Sequence, residues 1–136
     1  MARYDKYDPV NGGFRAVLVA AIASSAVGGI IAVSLDANGK VVVGTAAQSG
    51  FVGVICPDKV FAAGDVIDVM TSGEIVEFTT GANGAAFGAA VAGQIYTANA
   101  SGAIQTTIPA AGVNYDRVGH SVEATRLIVR CQKAQG

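Results

Sequence analysis

Chemistry in this chain would have to come from very few side chains: one histidine, His120, and two cysteines, Cys56 and Cys131. Cys–His nucleophilic catalysis would need one of those thiols beside His120, which takes its proton, and an acid such as Glu123 to orient the ring. His120 lies in Val118-Gly119-His120-Ser121-Val122, an alternating strand-like run. A strand histidine facing solvent or a subunit contact is therefore expected. Cys56 and Cys131 both follow apolar strand-like residues (Val54-Ile55 and Ile128-Val129-Arg130) and are far apart in sequence. They are expected as free, buried thiols, and no zinc-site or disulfide-scaffold spacing is present. No catalytic residue, metal ligand or cofactor is assigned.

Other polar groupings give little more. Asp65/Asp68 and Glu74/Glu77 are paired carboxylates, but in strands such pairs serve mostly as rim charges that discourage edge-to-edge aggregation. A glycosidase or aspartic protease would add a cleft rich in aromatic or hydrogen-bonding groups. Gly81-Ala82-Asn83-Gly84 matches neither a P-loop nor a dinucleotide fingerprint and is expected as a connector. Ala63-Gly64-Asp65-Val66 with Met70 resembles the hairpin of lipoyl and biotinyl carrier domains. The corresponding tip, Thr71-Ser72-Gly73, has no lysine to modify.

What must position these residues is a sheet-rich body. The apolar classes reach 51% of 136 residues while charged residues are 14%, against about a quarter in soluble proteins. So weak a polar coat implies that other chains cover part of the surface. Nine basic and ten acidic residues are spread without runs, so nucleic acid is not an expected partner. The uncharged stretch 16–35 approaches the length of a membrane span. Ser24-Ser25 and Gly28-Gly29 interrupt it, and Asp5 and Asp8 before it do not suit a signal peptide. No membrane association is expected.

Strand-like runs are predicted at 29–35, 40–43, 51–56, 65–70, 74–78, 94–98, 103–107, 117–123 and 126–131, with a strand or short buried segment at 15–22. The register of 65–69 is ambiguous, and 81–92 reads as a loop or a turn or two of helix. The fold class is all-β: a small barrel or compressed sandwich of about nine short strands. Three related patterns are expected as hairpins. Ala63-Gly64-Asp65-Val66 leads to Thr71-Ser72-Gly73-Glu74-Ile75, and Ala92-Gly93-Gln94-Ile95 leads to Ala100-Ser101-Gly102-Ala103-Ile104. The looser copy is Gly28-Gly29-Ile30-Ile31 leading to Ala37-Asn38-Gly39-Lys40-Val41. Val52-Gly53 and Val118-Gly119 extend the repeat, each followed by a closing strand, which points to a duplicated unit about a pseudo-symmetry axis.

Residues 1–15 read as an extended arm and 16–136 as the body. The arm is polar, Pro9 holds its predecessor extended, and Asn11-Gly12-Gly13 is a joint. Such a segment orders only on something else, and a neighbouring chain is the expected support.

The arm, the A-G-[DQ]-[VI] patterns at Ala63 and Ala92, the Ser72-Gly73 and Ser101-Gly102 turns, the two Val-Gly strands and the closing strand 127–131 together resemble the capsid decoration, or cement, proteins of tailed phages. The resemblance spans most of the chain. It implies a β body that forms homotrimers on the outside of an icosahedral shell and stabilises it by bridging subunits of the major capsid protein. Tyr4, Tyr7 and Phe14 would anchor the arm, with Arg3, Lys6 and Arg15 pairing with acidic capsid groups. The expected location is the outer surface of the virion. The alternatives are a tail, spike or fibre component and, further off, a small-ligand binder or enzyme.

Overall fold

Runs of Val and Ile, cut every few residues by Gly, Asn or Asp, favour short strands joined by tight turns. In a computed structural model the described residues are 3–6, by their backbone, together with 12–76, 92–124 and 126–135. They form β1 (Arg3–Lys6), β2 (Gly13–Val17), β3 (Ile31–Leu35), β4 (Val41–Val43), β5 (Phe51–Ile55) and β6 (Val66–Met70). The chain continues through β7 (Ser72–Val76), β8 (Ile95–Ala98), β9 (Ile104–Gln105), β10 (Asn114–Glu123) and β11 (Arg126–Gln135). A 3-10 turn at Ser24–Ala26 is the one helical element among the described residues. The fold is all-β, as the alternation predicts. All nine expected strands are present, the 15–22 segment contributes to β2, and β1 was not foreseen. The segment 77–91, including the expected loop or helix, lies outside the described residues.

The strands make two antiparallel sheets, ordered β2-β6-β5-β3-β4 and β1-β7-β11-β10-β8-β9. Without β1 the two orders are the same. In each unit of five the first strand pairs with the last, the last with the fourth, the fourth with the second and the second with the third. The duplication expected from the sequence is therefore present in the pairing itself. Among the described residues neither sheet closes into a barrel. The ends of the five-stranded sheet touch only at a parallel bridge, Leu18 to Val41, which curls that sheet around its own core.

The internal patterns divide. β3–β4 and β8–β9 are hairpins with matching turns. In the first, Asp36 Oδ1 accepts from the N–H of Asn38 (2.8 Å) and Lys40 (3.0 Å). In the second, Asn99 Oδ1 accepts from the N–H of Ser101 and Ala103, both at 3.0 Å. Each turn ends on a left-handed glycine, Gly39 at φ 74° and Gly102 at φ 94°. Thr71-Ser72-Gly73 is not a hairpin, contrary to expectation: β6 belongs to the five-stranded sheet, β7 to the six-stranded one, and Thr71 alone separates them. The residue three before Gly73 is Met70, so the side-chain acceptor that folds the other two turns is missing. Thr71 is the junction between the repeats.

Val52-Gly53 and Val118-Gly119 also match in structure. Each valine sits where the ladder slips register, between the pairs Val33–Gly53 and Ser34–Phe51, and between Gly119–Tyr96 and Arg117–Thr97. Each glycine is where the closing strand approaches most closely. A Cβ on Gly53 would stand 2.7 Å from Met70 O and from Val69 Cγ1, and one on Gly119 would run into Ile128 O. The repeated dipeptide is a β-bulge with a glycine for clearance.

Two cores result. Ile30, Ala32, Val54, Cys56 and Met70 of the first unit meet Ile75, Tyr96, Ile104, Val118, Leu127 and Val129 of the second between the sheets. Leu18, Ile22, Ile31, Val33, Val41, Ile55, Phe61, Ile67 and Val69 fill the other side of the five-stranded sheet. Alternate residues of β3 and β6 thus enter different cores, so Ile67 and Val69 point one way and Met70 the other. This settles the ambiguous register of 65–69, leaving Val66 exposed.

Candidate functional site

The structure keeps the chemically capable side chains apart. His120 pairs in register with Ile128 and with Ile95, whereas the flanking Leu127 and Val129 face the inter-sheet core. The ring therefore stands on the outer face of the six-stranded sheet. Cys56 is buried in the inter-sheet core and Cys131 packs against it from β11, across the sheet from His120. Neither cysteine forms a disulfide, and Cys131 is only partly buried. Burial pushes the Cys131 thiol up to about 12, so it is protonated and unreactive at neutral pH. Its sulfur lies 3.9 Å from Met70 O. Glu123 is engaged by Arg126 Nε at 3.0 Å. Thiol, imidazole and acid do not assemble. Among the described residues no three His, Cys, Asp or Glu side chains group as metal ligands.

The carboxylates have local roles. Asp65 Oδ2 accepts from the Ala62 N–H at 2.8 Å, closing a turn. Asp68 pairs with Arg15 Nε at 2.7 Å across β2 and β6. Glu74 lies 3.6 Å from Arg126 Nη1, and Glu77 is outside the described residues. A groove of about 280 Å³ opens beside β8 and β10, lined by Thr45, Thr97, Gln105, Thr107, Asn114 and Tyr115 among others. Asp116 and Lys133, an ion pair, form part of its wall. Thr97 Oγ1 donates inward to Thr107 O at 2.9 Å, so this hydroxyl braces the groove.

The arm residues expected to bind a shell fall into three groups. Arg3, Tyr4 and Lys6 lie on β1, which occupies the edge of the six-stranded sheet, with Arg3 opposite Val76, Tyr4 opposite Ile75 and Lys6 opposite Glu74. The support for this strand is the chain's own β7. Tyr7 is outside the described residues. Phe14 and Arg15 belong to β2: Phe14 packs against the second core and Arg15 is tied to Asp68. No helix among the described residues is long and apolar enough to cross a membrane. Residues 16–35 supply the end of β2, the 3-10 turn and β3.

No protein-family model matches the chain, and no curated protein matches it in sequence. A solved structure does match: a chain from Mycobacterium phage Patience, 20% identical, superposes with a TM-score of 0.80 over 99% of this chain and 98% of that one. The fold is shared with a phage protein. Because the match runs end to end, it includes both repeats and the junction at Thr71.

A face the sequence did not single out is the outer side of the six-stranded sheet. Ile95, His120 and Ile128 form a cross-strand row there, all half-buried. Arg117 is opposite Gln132, and Arg130 is two residues along the same strand. Arg126, Ile128 and Arg130 alternate with core-facing Leu127 and Val129, a parity visible in the sequence once the strand is granted.

Proposed function

We propose that this chain is a virion structural protein of a tailed phage that binds the outside of an icosahedral capsid and stabilises it by bridging major capsid protein subunits. The observation that carries the reading is the end-to-end fold match to a phage protein. The surface supports it. Val60, Val66, Val113 and Ile108 are between 45% and 58% exposed, and from Ala98 to Tyr115 there is no charged residue, as expected of a chain that works covered by neighbours. The role is non-enzymatic, with a homotrimer on the outer shell surface as the working form. Many small contacts acting together give such a protein its hold on a lattice.

The test is the mass of the purified protein by light scattering, followed by sedimentation with DNA-free shells of its own phage. A trimer that co-sediments at a fixed stoichiometric ratio is the expected result. Protein that stays in the supernatant at every shell concentration overturns the reading.

A further inference from the structure

The six-stranded sheet has one face against the core and an outer face on which, among the described residues, Thr97 and Glu74 are buried while Ile95, His120 and Ile128 are half-buried and Arg130 is exposed. In an ordinary solvated face the outward residues are polar throughout. Here the centre holds two isoleucines on either side of an imidazole, the Ile95–His120–Ile128 row that continues to Glu74, and arginines flank it. Arg126 on one side is neutralised by Glu123 and Glu74. Arg117 and Arg130 on the other side make no ion pair or hydrogen bond among the described residues. They are diagonal neighbours on adjacent strands, since Arg117 is opposite Gln132, and such positions are roughly 7–8 Å apart. No described residue compensates these two like charges. An isoleucine-rich centre flanked by arginine is also the composition of a protein interface.

β2 to β6 and their loops carry Arg15, Lys40 and Lys59 against Asp36, Asp58, Asp65 and Asp68. Lys40 and Lys59 also make no ion pair among the described residues, Lys59 lying over the Phe61 ring, but both sit in loops, whereas Arg117 and Arg130 are neighbours on one sheet face.

We infer that the outer face of the six-stranded sheet, centred on Ile128 and His120 with Arg117 and Arg130 beside them, is the docking surface for a protein partner presenting carboxylates around an apolar patch. Resting on the capsid reading above, that partner is an acidic surface of the shell subunits. Nucleic acid is disfavoured because two unpaired arginines on a chain of net charge −1 offer few phosphate contacts.

The experiment compares the full-length protein with R117E/R130E and with K40E/K59E, which changes net charge equally on the other unit. Thermal midpoints establish that each variant folds. Binding is then measured to shells, to poly-L-glutamate and to a mixed-sequence DNA duplex between 50 and 300 mM salt. R117E/R130E is expected to bind shells about tenfold more weakly or worse, with a flattened salt dependence, while K40E/K59E binds as the wild type does. Equal shell binding by wild type and R117E/R130E overturns the assigned face and leaves the capsid reading standing. A wild type that ignores shells but holds poly-L-glutamate through Arg117 and Arg130 overturns the capsid reading and keeps the acidic partner. DNA bound as tightly as shells, and lost in R117E/R130E, overturns the protein partner in favour of nucleic acid.

Discussion

Replacing Gly119 with alanine places a methyl group where the Ile128 carbonyl of β11 already stands. A flexible side chain could swing aside, but a backbone oxygen within a paired ladder moves only with its strand. At Gly53 the same substitution leaves the new Cβ 2.7 Å from Met70 O, about 0.7 Å short of the 3.4 Å at which ordinary contact begins. Val69 Cγ1 closes the other side at 2.7 Å and belongs to a β-branched side chain with little rotamer freedom. Overpacking costs roughly 1–3 kcal/mol, so G53A should lose about 2 kcal/mol and G119A about 3 kcal/mol or more. At roughly 3–5 °C per kcal/mol for a domain of this size, G119A should melt about 10 °C or more below the wild type. The control is G112A. Gly112 has a left-handed φ of +86° and nothing within 4 Å, so it carries only the backbone penalty of about 1 kcal/mol. Thermal unfolding followed by circular dichroism separates them. If G119A melts within about 2 °C of G112A, the view of Val-Gly as a bulge with steric clearance is refuted.

The matched turns predict matched losses. D36A and N99A each remove an acceptor from two backbone N–H groups and should cost about 1–2 kcal/mol apiece by denaturant titration, whereas T71N, at the junction, should not stabilise a turn. Cys131 should resist iodoacetamide in the folded protein at pH 8 and react promptly in denaturant, read by mass spectrometry. Its folded value of about 12 exceeds the ordinary 9.0, so above pH 9 the unfolded chain releases the proton first. The stability this thiol contributes is therefore complete below pH 9 and lost as pH rises towards 12, and C131A should flatten that decline.

Strand content and turn positions were legible because alternation and turn residues are local signals. Partner choice was not local. The dipeptide Ser72-Gly73 resembles Ser101-Gly102, yet only the second turn has an Asn or Asp three residues before its glycine. That spacing, visible in Asp36-Ala37-Asn38-Gly39 and Asn99-Ala100-Ser101-Gly102, distinguishes the hairpins from the junction. The arm lacks a strand period because four residues of mixed polarity carry no alternation, and the edge of β7 supplies the pairing that composition cannot show. By composition Phe14 and Arg15 suit surface anchors for a partner, whereas their placement in β2 follows from register with Val69 and Asp68. The arginine-flanked face stayed hidden because it is assembled from β8, β10 and β11, whose juxtaposition no linear spacing reveals.

The first-to-last pairing of each unit has a consequence for how the protein is made. β2 is among the earliest segments to leave the ribosome, yet its one ladder partner among the described residues, β6, ends at Met70. The first sheet therefore cannot complete its hydrogen bonding until half the chain has been synthesised, and β7 must wait again for β11, which ends at Gln135. β1, although first in the sequence, finds its place only on β7. Translation order and assembly order run in opposite directions at both ends of each repeat, so the nascent chain carries unpaired strand edges for most of its synthesis.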